Sequence, residues 1–419
     1  MKKILIISNN PLSYMQHNAK TILSLVGDKS KFRLAQVYFN SGMPDYRDCK
    51  YFKISDSDII CSVISRKNRV GTPIEYIDSV DTGEKIPKTK QDNYFVRLIR
   101  ELIWKCGVID YDKLYSWIET FSPDVLLFMA GDCVFAYDIF KKISDRFFQC
   151  KTVVYITDDY ILPRISFSAA FWIRRYLLIK KMQLCINNAS VFVTISQKMK
   201  NVYLDIFGKD SVVYSNVPDG VGHQSFIKSL DNEKRLIFTY AGGLHYNRWK
   251  SLGLLGKAID VFNHTHDCKA ELQIYSSSKL TKQMKKVLCI DGATRFCGEA
   301  SPQKIVEIMN NSDINVHAES FDRKCIAATK LSFSTKIYEY LSTGKCVLAI
   351  GPKEIASIDY LSNCAECINS NKDINSKLIE RLANKDYRCA IARKCREMYI
   401  NNCVANSSKS KIVDALLSS

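Results

Sequence analysis

Ser334-Thr-Lys-Ile-Tyr-Glu-Tyr-Leu-Ser-Thr-Gly-Lys-Cys-Val-Leu-Ala-Ile-Gly-Pro352 is the stretch on which the fold turns. Ser334 and Thr335 can cap a helix, which leaves free backbone N–H groups and the positive end of the dipole at its start. Lys336 puts a full positive charge in the first turn, where the dipole disfavours a cation. An anion bound nearby accounts for it. Glu339 follows one turn on, on the same face as Lys336. Gly344 stops the helix, Val347 to Ile350 form a short buried strand, and Gly351-Pro352 is a turn. The unit is helix, stop, strand, with an anion seat and a carboxylate at one end. A nucleotide diphosphate needs both: N–H groups for its phosphates and a carboxylate for its ribose hydroxyls.

The same alternation extends outward. In the second half, Ile237 to Ala241 is a strand followed by Gly242-Gly243. Gly253 to Asn263 is a helix and Ala270 to Tyr275 a strand. Thr294 to Cys297, Pro302 to Asn310 and Ile314 to His317 continue as strand, helix and strand. In the first half, strands are expected at Lys3 to Ile7, Arg33 to Phe39, Asp124 to Met129, Thr152 to Thr157 and Ser190 to Ile195. Helices are expected at Asn18 to Val26 and Tyr137 to Phe148. Strands separated by helices imply parallel sheets with both faces covered. Asp45 to Lys90 is more polar and reads as an excursion with little core of its own.

The expected fold class is α/β, with two Rossmann-like domains facing across a cleft and ligand at the carboxyl ends of their strands. Residues 1–218 form the amino-terminal Rossmann-like domain, 219–234 a linker, and 235–395 the carboxyl-terminal Rossmann-like domain. Residues 396–419 form a terminal helix packing back on the first domain. A length of 419 residues favours two domains over one, and a 47% hydrophobic content with 9 prolines argues for folded chain.

The bulk numbers exclude several classes. Met1-Lys2-Lys3 leads directly into Ile4-Leu5-Ile6-Ile7, too short for a secretory core. No apolar run approaches the length of a membrane span. The 16 cysteines are scattered, and the single CxxC, Cys364 and Cys367, has no second pair to make a zinc set. They read as reduced thiols in a cytosolic protein. The net charge of +17 fits nucleic acid, an anionic membrane or phosphorylated small molecules. There is no nucleic-acid motif and no dense basic tract. Basic residues sit instead within aromatic segments: Phe167 to Met182, with Trp172, Tyr176, Arg174, Arg175, Lys180 and Lys181, and Tyr94 to Lys105. Such segments suit a membrane interface, at about 1 kcal/mol per basic residue near anionic lipid.

Three separated segments resemble glycosyltransferases of the GT-B fold, specifically the retaining family 4 group of bacterial polysaccharide and glycan biosynthesis. They are Tyr240-Ala-Gly-Gly-Leu-His-Tyr-Asn-Arg-Trp-Lys250, Phe296-Cys-Gly298 with Asp313-Ile-Asn-Val-His-Ala-Glu-Ser-Phe-Asp322, and the opening stretch. Ile6-Ile-Ser-Asn-Asn-Pro-Leu-Ser13 resembles the first strand and acceptor-side loop of bacterial members. The resemblance implies that Gly242 and Gly243 approach a diphosphate, together with Ser334 and Thr335. Arg248, Lys250 and Lys336 would neutralise it, and Glu339 would hold the ribose. The family's first glutamate would fall at Leu331, so Glu319 or Asp322 is the candidate for contacting the sugar. Where members carry His-Asp, this chain has Asp158-Asp159. These residues and Arg248 are the catalytic candidates, and His17 and Asn18 the acceptor-side ones.

The expected activity is transfer of a sugar from a nucleotide-diphosphate donor to a glycan or lipid-linked acceptor, in cell-surface polysaccharide synthesis. The enzyme would be cytoplasmic and peripheral at the inner face of the membrane. No metal, cofactor or nucleic acid is called for. Two alternatives remain open: a nucleotide-sugar epimerase of the same fold, and a non-catalytic nucleotide-sugar-binding partner of an assembly complex.

Overall fold

The computed structural model describes all residues except 14–16, 66–67, 75–92, 217–234, 405–406 and 418–419. The expected linker lies outside the described residues. Contacts divide the chain into two units, Met1–Asn216 with Ser407–Ser419, and Val217–Asn406.

The first unit is built on eight strands: β1 (Lys2–Ser8), β2 (Phe32–Tyr38), β3 (Cys49–Lys53), β4 (Thr72–Ile74), β5 (Val125–Ala130), β6 (Lys151–Ile156), β7 (Val191–Thr194) and β8 (Val212–Val213). Their order is β4-β3-β2-β1-β5-β6-β7-β8. All pairs are parallel except β3 with β4. β1 and β5 read as continuous apolar runs because helices cover both faces of a parallel sheet. Ile4, Ile6, Leu126 and Phe128 have no solvent exposure. Burying each such side chain contributes about 1.5–3 kcal/mol. The chain winds outward from β1 to β4 and then returns to place β5 beside β1. That reversal is where an open α/β sheet leaves a crevice at its carboxyl edge.

In the described part of the Asp45 to Lys90 segment, residues 45–65 and 68–74, there is more regular structure than its polarity suggested. β3 joins the sheet with Tyr51 and Phe52 buried, and the helix Asp56–Ser65 buries Ile59 and Ser62. Two apolar residues on a short strand were enough to extend the sheet. They are too few to register as a periodic pattern.

The second unit repeats the design with β9 (Arg235–Ala241), β10 (Lys269–Tyr275), β11 (Thr294–Gly298), β12 (Ile314–Ala318), β13 (Cys346–Ile350) and β14 (Glu366–Ile368). The order is β11-β10-β9-β12-β13-β14, parallel throughout. The reversal point lies between β9 and β12. The helix Lys336–Ser342 precedes β13, and Gly344, at φ 64°, ends it in the left-handed conformation that glycine adopts without a steric penalty. One local expectation fails. Thr335 is itself helical and makes no side-chain cap bond; the first turn closes through Ile337 N–H to Ser334 O at 3.1 Å.

At the carboxyl terminus there are two helices. Lys385–Val404 packs on β13 with Cys395 fully buried, so it runs through the 395/396 boundary expected from the sequence. Ser407–Leu417 belongs to the first unit, where Ile412 and Leu416 enter the core beside Ile22 and Leu25. Lys151 Nζ donates to Ala415 O at 2.8 Å.

Candidate nucleotide-sugar site

In the second unit the chemistry gathers at the reversal point. β9 ends at Ala241, and Gly242-Gly243 turns the chain toward the helix Arg248–Thr265. The turn is held from both sides. Gly242 N–H donates to Tyr275 O at 3.0 Å and Leu244 N–H to Ser278 Oγ at 3.1 Å. Tyr240 OH donates to Gly243 O at 2.7 Å. The Gly242 amide, one of the two expected to meet a diphosphate, is therefore engaged within the turn.

Glu319 follows β12 and is buried. Its carboxylate accepts Arg248 Nη2–H at 2.7 Å and Nε–H at 3.0 Å, a bidentate pair. Ser251 Oγ, one helical turn beyond Arg248, donates to Glu319 O at 2.7 Å, and Glu319 N–H donates to Ile350 O at 2.7 Å. Gly351 lies against it at φ 154°, and a Cβ there would stand 2.9 Å from Glu319 Cβ. Glycine is required for this close approach.

Burial raises the Glu319 pKa, an effect the Arg248 charge opposes. Burial pulls Arg248 down, and Glu319 reverses this to a net rise. The two-point geometry holds the pair charged. Two histidines complete the cluster. His317 Nε2 is 3.0 Å from Ser357 Oγ and 3.7 Å from Glu319 Oε1. Burial, then the Arg248 charge, pushes His317 down to about 3. His245 Nε2 is 3.1 Å from Arg248 Nη1, and partial burial with the Arg248 charge holds it at about 4. Both rings are neutral at physiological pH, so Arg248 is the cluster's standing cation.

The other expected residues separate into two groups. Lys250 Nζ and Asn247 Nδ2 each donate to Asp322 Oδ2 at 2.7 Å, forming a neutralised pair on the outer loop. Lys336 and Glu339 stand half-buried on their helix, and among the described residues neither has an ion-pair partner. That helix is fixed to the end of β9 by Tyr340, whose buried OH donates to Ala241 O at 3.2 Å. Ser334 and Thr335 are half-buried just before it. Tyr240, His245, Ser251, Tyr340 and Ser357 were not anticipated. Ser251, Tyr340 and Ser357 act through contacts distant in sequence, with Glu319, Ala241 and His317, whereas Tyr240 and His245 meet Gly243 and Arg248 three residues on.

In the first unit, a cavity of about 170 Å³ opens at the β1/β5 reversal, lined by residues including Asn9, Asn10, Gly131, Asp132, Thr157 and Tyr160. His17 and Asn18 open the helix His17–Val26, and Ala19 and Ile22 of the same helix line the cavity. The side chains of His17 and Asn18 lie outside the described residues. Asp158 is exposed after β6, whereas Asp159 is turned inward. Asp159 Oδ1 accepts Ile161 N–H at 3.1 Å, Leu162 N–H at 3.2 Å and Tyr203 OH at 3.2 Å, and Oδ2 is buried without a hydrogen-bond partner. Its carboxylate holds the turn rather than facing solvent. Among the described residues no cluster of three or more His, Cys, Asp or Glu could hold a metal ion.

The architecture matches solved glycosyltransferases of the GT-B fold. A glycosyltransferase from Rickettsia africae is 14% identical with a TM-score of 0.59, over 99% of this chain and 97% of that one. A UDP-forming α,α-trehalose-phosphate synthase from Burkholderia xenovorans is 10% identical with a TM-score of 0.60, over 99% of each. Anabaena HepE in complex with UDP is 12% identical with a TM-score of 0.58, over 99% of each. No protein-family model and no curated protein matches this chain.

Proposed function

We propose that this GT-B chain is a glycosyltransferase that takes a sugar from a nucleotide-diphosphate donor bound at the second unit. The observation that carries it is the Arg248/Glu319 pair, held rigidly at the β9/β12 reversal beside a glycine turn. It is accompanied by Lys336 and Glu339, which have no ion-pair partner among the described residues. Glu319 and His245 engage three of the five Arg248 N–H groups and the Tyr240 hydroxyl stands beside the guanidinium, which in this account turns its remaining N–H toward the diphosphate. Lys336 supplies the second cation and Gly243 N–H a neutral donor. Glu339 accepts the ribose hydroxyls. Charge building on the departing phosphate is stabilised by groups already in place, which can lower the barrier by several kcal/mol. The solved relatives that form or bind UDP support this reading.

Glu319 and the Lys250/Asp322 loop are the sugar-side groups of this account. Asp158 is its candidate on the acceptor side, and Asp159 supports the turn that presents Asp158. Transfer proceeds with retention, onto a glycan or lipid-linked acceptor, in cell-surface polysaccharide synthesis at the inner face of the membrane. The test is nucleoside diphosphate release from a panel of nucleotide sugars, with and without a lipid-glycan extract. Acceptor-dependent release that Arg248→Ala and Glu339→Ala abolish supports the account. Conversion of donor without acceptor points to an epimerase, and no turnover with any donor contradicts the account.

A further inference from the structure

Two neighbouring helices of the first unit have an apolar face that no other element covers among the described residues. On Ala169–Asn188, Phe171, Leu178, Met182 and Ile186 are buried. A second stripe, Trp172, Ile173, Tyr176, Leu177 and Leu184, recurs at helical spacing and is exposed. The helix Tyr94–Cys106 repeats this: Trp104 is buried, while Phe95, Val96, Ile99 and Leu102 are exposed. The two helices lie side by side, with the Tyr94 and Phe171 rings 4.9 Å apart and Arg174 paired with Glu101. Phe167, on the turn entering the second helix, is fully exposed. Large apolar side chains exposed together on adjacent helices mark an interaction site.

The charges specify the partner. Ala169–Asn188 contains no acidic residue, and Tyr94–Cys106 has only Glu101, which is turned inward. Arg175 stands over the Trp172 ring at 5.5 Å and Lys180 over the Tyr176 ring at 4.6 Å. Lys105 is exposed at the end of the first helix. Lys181 and Arg100 are paired with Asp138 and Asp56 of neighbouring helices, but the two helices carry no exposed acid of their own, and aromatic rings flanked by cations fit the boundary of an anionic bilayer. No helix among the described residues is long and apolar enough to cross a membrane, so this surface would lie on the bilayer.

We infer that the face formed by Tyr94–Cys106, Phe167 and Ala169–Asn188 docks on an anionic lipid bilayer, and that docking fixes one wall of the first-unit cavity. Both helices reach that wall. Glu101 accepts the N–H groups of Val134 and Phe135, each at 3.0 Å. Arg97 pairs with the Asp132 carboxylate, and Arg174 donates to the Asp132 carbonyl. Asp132 lines the cavity. The acceptor is then membrane-borne and reaches the cavity from the lipid surface, a step that rests on the transferase reading above.

The experiment is sedimentation of the full chain with vesicles of phosphatidylcholine alone or mixed with phosphatidylglycerol. Wild type should bind the anionic vesicles only, and high salt should weaken binding. The triple variant Phe95→Ser, Phe167→Ser, Trp172→Ser should lose roughly tenfold in affinity for each ring withdrawn from the bilayer. Lys105→Glu with Lys180→Glu should weaken binding independently of the rings. These side chains are exposed, so thermal unfolding serves as the folding control. Failure to bind anionic vesicles, equal binding to neutral ones, or unchanged binding by the triple variant overturns the inference. So does a concentration-dependent dimer that the triple variant abolishes, which would make a second copy the occupant. Nucleotide affinity measured without lipid should be the same in wild type and the triple variant, so the lipid inference and the transferase reading can fail separately.

Discussion

Replacing Arg248 by methionine tests the core of the site. The guanidinium holds Glu319 at 2.7 and 3.0 Å, and the Glu319 side chain is 2% exposed. Removing the cation leaves a carboxylate without a counterion where water cannot replace it. Breaking a buried pair in this way costs about 3–5 kcal/mol. Glu319 already has a raised pKa, with burial the main cause and Arg248 opposing it, so losing Arg248 raises it further. A carboxyl whose folded pKa exceeds its unfolded value is bound more tightly to its proton in the native state. The penalty therefore shrinks as pH falls through the folded pKa, by about 1.4 kcal/mol per unit. Arg248→Met should be most destabilised at neutral pH and should recover on acidification. Arg248→Met with Glu319→Gln, which leaves no charge behind, should recover most of the loss at all pH values. Hydrogen exchange at the β12 amides under increasing urea reads this locally. A cost below about 1 kcal/mol at neutral pH, or a cost that does not change with pH, refutes the buried-pair argument.

Other outcomes follow from the same contacts. His317 has a folded pKa of about 3, so the unfolded state takes up its proton first as pH falls. Its contribution is complete above about pH 6.5 and is lost below it at roughly 1.4 kcal/mol per pH unit; denaturant melts of His317→Asn should show a flatter acid limb than wild type. Asp159→Ala removes two hydrogen bonds within its turn and one from the Tyr203 hydroxyl and should cost roughly 2–3 kcal/mol, while Asp159→Asn keeps the accepting oxygen and should cost less, both read by thermal unfolding. Gly351→Ala forces a Cβ against Glu319 at φ 154° and should destabilise by about 1–3 kcal/mol, measured by urea unfolding.

The parallel sheets were legible in the sequence because their strands are near-continuous apolar runs closed by glycine or acidic residues, as in Ile237 to Gly243 and Ile314 to Glu319. β3, β4, β8 and β14 escaped notice because strands of two to five residues at or beside a sheet edge carry too few side chains to show a period. Arg248 and Glu319 were each named from sequence as candidates. Their pairing was not readable, since it joins residues 71 positions apart. The capping role given to Thr335 was a local inference that the tertiary fold overrode. The enclosure of Asp159 depends on Tyr203, which a strand-end Asp-Asp motif does not reveal.

A nucleoside diphosphate seated between the Gly242-Gly243 turn and the helix Lys336–Ser342 should be detected by calorimetric titration of UDP, GDP and ADP into wild type, Lys336→Ala and Glu339→Ala. Both side chains lack ion-pair partners among the described residues, so their loss should leave folding intact. Saturable binding of one diphosphate is expected, weakened in each variant by about 1.5–3 kcal/mol, the contribution of a charged hydrogen bond, or roughly ten- to a hundredfold. Absence of saturable binding by wild type, or identical affinity in all three proteins, contradicts the account.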